Sequence, residues 1–147
     1  MKEILFRGKR KDNGEWVEGA FYAYYNFKRT IVQILKDRTN GTPDAYDVIP
    51  ETVGQYTGLT DKNGTKIFEG DIIKQEYSLS KQTRAILSVI EYGIAYAYSN
   101  VYGVCQRFSD GSGTAMLSVG DNIGTVFCEV IGNIHDNPEL IGGDTND

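Results

Sequence analysis

Turn sequences recur along this chain at short intervals, and most runs between them are too short or too rich in β-branched and aromatic residues to favour helix. Ile4 to Arg7 is a brief apolar run, and Asp12-Asn13-Gly14 then supplies a tight turn before EWVEGAFYAYY (15–25). The pair predicts a β-hairpin. On its second strand Trp16, Glu18, Ala20 and Tyr22 alternate with Val17, Gly19, Phe21 and Ala23, and neither set is cleanly polar. The spacing therefore predicts a strand covered on both faces.

RTIVQIL (29–35) reads as a further strand, and KDRTNGTPDAY (36–46) as a loop, because it joins Asn-Gly to a proline with little hydrophobicity. ETVGQY follows Pro50 as strand. Asp61-Lys62-Asn63-Gly64 then predicts a hairpin turn between VGQYTGLT and TKIF, and Gly70-Asp71 reverses or kinks the chain before IIKQEY. In RAILSVIEY (84–92) Ala85, Val89 and Tyr92 could share a helical face. The β-branched Ile86, Val89 and Ile90, with Gly93 next, favour a strand. YGIAYAYS alternates Tyr92, Ile94, Tyr96 and Tyr98 with glycine and alanine, giving one bulky face and one flat face. Strands at 101–108, 114–119 and 125–134 are separated by loops at 109–113 and 120–122, and NPEL (137–140) closes the ordered chain. Many short strands at this spacing predict an all-β protein, barrel or sandwich, with little helix.

With 147 residues the chain makes one domain over 1–140, or an N-terminal β lobe (1–58) packed on a C-terminal barrel (59–140). The segment 141–147 lacks an apolar anchor beyond Ile141 and reads as a disordered tail. Folding at this size hides roughly 70% of the unfolded surface, so neither a disulfide nor a metal is required. Cys105 and Cys128 each lie in an apolar run, which predicts two reduced, buried thiols. The opening residues carry only a three-residue apolar run before charges resume, and no later run approaches a membrane span. The expected compartment is the cytoplasm.

The net charge of −5 conceals a split: residues 1–38 hold nine Lys/Arg against five Asp/Glu, and the remainder six against fifteen. Arg7, Lys9, Arg10 and Lys11, with ten tyrosines along the chain, are the residue types of a single-strand stacking platform. An acidic body repels phosphate at long range, so nucleic acid is not the favoured partner. Tyr96 and Tyr98 on the bulky face suit a subunit contact instead. His135 is the sole histidine and has no nucleophile at a recognisable spacing. One His and two separated Cys make no zinc cluster, DKNG lacks the later ligands of a calcium loop, and neither phosphate-loop pattern occurs. Glu69 and Asp71, flanking Gly70, fit a turn better than a catalytic pair. No catalytic, metal or cofactor residue is predicted.

Three blocks carry a family resemblance: ILFRGKRKDNGEWVEG (4–19), VGQYTGLTDKNGTKIFEGDIIK (53–74) and VIGNIHDNPEL (130–140). Jointly they resemble the YopX family of phage and prophage proteins, over about fifty of the 147 residues, while roughly 75–129 carries no matching block. The resemblance implies a small, mainly β protein with an SH3-like barrel, assembling into homo-oligomers, with no catalytic residues to carry over. The combined expectation is a non-enzymatic accessory protein, self-associating and binding an unknown host or phage macromolecule. The alternative is a nucleic-acid binder using the basic N-terminal hairpin.

Overall fold

Asn13 and Gly14 close the first hairpin as their chemistry requires. Gly14 adopts a φ of 74°, and the Asn13 side-chain oxygen accepts the Glu15 N–H at 3.0 Å. The computed structural model describes residues 4–37, 41–79, 81–95, 101–112, 114–116 and 128–142. Its strands are β1 (Phe6–Lys9), β2 (Trp16–Asn26), β3 (Arg29–Lys36), β4 (Asp44–Asp47), β5 (Gly54–Thr60), β6 (Lys66–Phe68), β7 (Asp71–Leu79), β8 (Gln82–Ala95), β9 (Val101–Phe108), β10 (Thr114–Met116) and β11 (Cys128–Asn133). Two antiparallel sheets result, in the orders β4-β3-β2-β1-β5-β6 and β10-β9-β8-β7-β11. The only helical elements among the described residues are two 3₁₀ turns, Pro50–Thr52 and Pro138–Ile141. The protein is all-β; the finer SH3-like barrel stays an implication of the resemblance. The chain divides into two compact units, Met1–Gly58 and Leu59–Asp147.

In the first unit β2 changes partner part-way along. Its residues up to Gly19 pair with β1, and from Ala20 onward they pair with β3. A Cβ on Gly19 would overlap the Leu35 carbonyl oxygen, so only glycine lets the hand-over occur without displacing backbone. The core under this sheet is Val17, Ile34 and Val48, with Phe6, Val32, Tyr46 and Val53 packed against it.

Three expectations are corrected here. Residues 44–46, assigned to a loop by composition, begin β4, which pairs with β3 from Gln33↔Asp47 to Lys36↔Asp44. Gln33 Nε2 donates to Asp47 Oδ1 at 2.8 Å, a cross-strand bond that a one-strand reading cannot foresee. Glu51 and Thr52 form a 3₁₀ turn rather than strand. The Thr52 hydroxyl donates to the Ile49 carbonyl at 2.6 Å and accepts the Lys9 N–H at 2.9 Å, so local side-chain bonding wins over extension. Thirdly, β2 is not covered on both faces: every residue from Ala20 to Asn26 is exposed. The four-residue β1 pairs with it only as far as Gly19, and β4 reaches β3 only as far as Gln33.

In the second unit the successive pairs Ile72/Ile73 and Val89/Ile90 are each buried, so both faces of the β7–β8 ladder are covered. Leu59, Ile67, Ile73, Ile90 and Cys128 form one cluster, with Val104 and Val130 against it. Asp61 organises the turn that enters this core. Its Oδ1 accepts the N–H groups of Asn63 (2.8 Å) and Thr65 (2.9 Å), and its Oδ2 accepts Val130 N–H at 2.9 Å, 69 residues away. The buried Asp71 accepts the Phe68 N–H at 2.7 Å, and Gly70 donates to Ile90 while its carbonyl accepts from Ile134. Beyond β11 the Asn133 side-chain oxygen accepts the N–H groups of His135 and Asp136 at 3.0 and 2.9 Å. Ile141 ends the last 3₁₀ turn and Gly142 caps it at a φ of 68°. These two residues therefore belong to the ordered turn, not to a tail; residues 143–147 lie outside the described set.

Burial of Asp61 opposes its charge, but three backbone N–H donors outweigh that effect and hold its carboxyl below the ordinary aspartate value. Asp61→Asn keeps an oxygen for the local turn and sets an amide NH₂ against Val130 N–H. We expect it to lower unfolding free energy by about 2 kcal/mol at pH 7 in urea denaturation. A depressed folded value means the stabilisation is complete above the unfolded value of about 3.9 and drains away as pH falls through the lower folded value. The gap between parent and variant should therefore narrow as pH falls below about 4.

Candidate binding surface

Alternation along β1 divides the predicted basic cluster between two faces. Arg7 and Lys9 share a face with their β2 partners Glu18 and Trp16. Both cations lie over the single indole: the Arg7 guanidinium carbon is 4.6 Å from the Trp16 ring centroid and the Lys9 ammonium 5.8 Å. Arg10 turns the other way and stacks over Tyr46 at 4.6 Å. Asp12 grips it from the same turn, with Arg10 Nε and Nη2 donating to its two carboxylate oxygens at 3.0 and 2.6 Å. Those side-chain bonds raise the Arg10 value and hold the Asp12 carboxyl below its usual range. Lys11 sits beside them. A shallow groove of about 540 Å³ is lined by Arg10, Lys11, Asp12, Ala45, Tyr46 and Asp47. It presents both signs of charge beside an aromatic wall, chemistry for recognition of a polar surface.

The four basic residues thus do not make one patch. Sequence proximity groups them; the strand period separates them. Tyr46, the groove wall, was hidden within the expected loop, and the signal that could have exposed it is the alternation Asp44, Ala45, Tyr46, Asp47. The predicted contact residues Tyr96 and Tyr98 lie outside the described residues.

Beyond Gly19 the β2–β3 hairpin carries exposed rings on both faces. Phe21, Tyr22, Tyr24, Tyr25 and Phe27 are 45, 47, 37, 72 and 88% exposed. Tyr22 and Tyr24 stand 5.5 Å apart, and Phe21 leans on Phe6 at 5.4 Å. At the tip Phe27 adopts a φ of 57°, the one positive value outside glycine among the described residues. Bulky side chains rarely accept that conformation.

The residues weighed for chemistry are engaged elsewhere. Asp71 is bound to a turn amide deep in the second unit, and His135 stands in the turn that Asn133 organises. Among the described residues no group of three His, Cys, Asp or Glu is placed to hold a metal ion. Both cysteines are buried thiols outside any disulfide, as the sequence predicts. Burial, with the Asp61 charge nearby, pushes the Cys128 thiol up to about 11.

A family model described as YopX protein matches residues 5–142. The chain belongs to the YopX family. Among solved structures, the crystal structure of protein EF1440 from Enterococcus faecalis is similar to it, with a TM-score of 0.53 and 24% identity. That likeness covers 96% of this chain and 99% of the other and shows the fold. No curated protein matches the chain. No helix among the described residues is long and apolar enough to cross a membrane. The three blocks that carry the family likeness are the β1–β2 hairpin, the Asp61 and Asp71 turns, and the Asn133 turn. Their signature residues steer backbone.

Two measurements check this surface. A double-mutant cycle on Arg7 and Trp16 should return a coupling of about 0.5–1 kcal/mol, the worth of a partly exposed cation–π contact. Native protein at pH 8 should leave Cys128 unreacted with a chromogenic disulfide reagent until denaturant is added, because the buried thiol supplies almost no thiolate.

Proposed function

We propose that this YopX-family chain works by binding rather than by catalysis, as an accessory protein of phage or integrated prophage acting in the host cytoplasm. The single observation that carries this reading is the exposed aromatic hairpin of the first unit, where Tyr22, Tyr24, Tyr25 and Phe27 belong to no core cluster among the described residues and Phe21 touches the core only through Phe6. Aromatic residues left in water on both sides of a two-stranded ribbon fit an interface, since rings and arginines dominate binding energies. The groove at Arg10 and Tyr46 supplies a second, more polar contact for a host or phage macromolecule. Asp71 of the carboxylate pair and Asp61 of the DKNG turn are committed to backbone amides, which favours the same reading.

Self-association is part of the proposal. Native mass spectrometry at micromolar concentration should show a homo-oligomer; a strict monomer would remove that part. A second reading, single-stranded nucleic acid on the Arg7–Trp16–Lys9 face, is favoured by two cations beside one indole. Trp16 is the only tryptophan, so its fluorescence reports on that face directly. Titration with a single-stranded oligonucleotide at low and at moderate salt should give no saturable change. Binding that weakens steeply with salt would promote this second reading.

A further inference from the structure

The outer edge of β2 from Ala20 to Asn26 pairs with no described strand: β1 begins at Phe6, opposite Gly19, and Ile4 and Leu5 before it belong to no strand. Asn26↔Arg29 flanks the two-residue tip, so the even residues Ala20, Tyr22, Tyr24 and Asn26 bond inward to β3. Phe21, Ala23 and Tyr25 therefore direct their N–H and C=O groups outward. Natural edges of this kind are usually blunted by lysine, proline or a bulge. This one reads AFYAYYN, seven residues without a charge, a proline or a register shift.

From this geometry we infer that β2 pairs antiparallel with β2 of a second copy across a two-fold axis at Ala23. The inference rests on the self-association proposed above and names its contact. The segment is complementary to itself in that register. Phe21 falls opposite Tyr25 of the second copy, Tyr22 opposite Tyr24, and Ala20 opposite Asn26. Ala23, the smallest residue available, meets its own copy on the axis. Each opposed pair of rings lies on one face, where aromatic cross-strand pairs stabilise a sheet. An uncharged segment also meets itself without like-charge repulsion, whereas the free end of β3 begins at Arg29. The two-fold contact is isologous, as closed dimers require.

At about 200 Å² per ring, the exposed parts of the five aromatics amount to about 600 Å² per copy, apolar area of which strand pairing covers a part. Phe27 fits the same account: a bulky residue held at positive φ on an exposed tip suits an element that is covered on assembly.

The test uses the full chain. In an H-bonded antiparallel pair the two Cα atoms stand about 5.5 Å apart, within disulfide range. Ala23→Cys alone should form a disulfide-linked dimer on mild oxidation. Tyr22→Cys and Tyr24→Cys should each stay unlinked alone and should link when mixed. Glu51→Cys, also exposed, is the negative control, and the buried native cysteines do not interfere. Ala23→Lys should weaken association at least tenfold by light scattering while its unfolding midpoint, measured under monomeric conditions, stays that of the parent. If the parent assembles but no linkage forms at these positions and Ala23→Lys assembles normally, the β2 contact is overturned and self-association survives. Linkage of Tyr22→Cys or Tyr24→Cys alone overturns the Ala23 register. A parent that is monomeric throughout overturns both.

Discussion

The second unit depends on one carboxylate serving two distances at once. One oxygen of Asp61 closes the turn it begins, and the other takes the Val130 N–H from a strand 69 residues later. A buried charge is costly unless it is saturated with donors, and three backbone amides meet that need. The adjacent Lys62 N–H donates to the Cys128 carbonyl, and Gly70 bridges Ile90 to Ile134. The hairpin turn, the Gly70 reversal and the final strand are thereby locked as one assembly around the Ile67, Ile73 and Ile90 cluster. Two of the three family blocks are the two ends of this lock.

The first unit follows a different logic. Its packed part is small, built on Val17, Ile34 and Val48, and Thr52 ties the 3₁₀ turn to β1 through a single hydroxyl. Beyond the Phe21–Ile34 pair the hairpin holds no buried residue. A two-stranded ribbon is marginal in water by itself, so its rings read as surface kept for contact. The larger buried cluster lies in one unit and the exposed rings in the other.

Much of this was legible from residue types. Asn13-Gly14 and Asp61 to Gly64 announced their turns, and the β-branched content of 84–92 correctly outweighed a helical spacing there. The misses have physical causes. β4 hides in a polar segment because its pairing with β3 comes from Gln33 and Asp47, not from its own hydrophobicity. Thr52 leaves the extended state because its hydroxyl finds a nearby carbonyl. The basic cluster looked like one patch because its residues are neighbours in sequence, while the strand period sends Arg7 and Lys9 to Trp16 and Arg10 to Tyr46. Asp61 looked like a turn residue only; nothing local reveals that Val130 will arrive at its second oxygen.

By itself the sequence determined the class of fold, the places where the chain turns, the burial of its two thiols and the family. Those properties follow from backbone preference and side-chain period, which act over a few residues. Tertiary structure decided which faces are covered, which charges meet an aromatic ring and which strand edge is left open. These depend on where the neighbouring strand lies: β1 begins at Phe6, opposite Gly19, so among the described strands the aromatic half of β2 pairs with β3 alone.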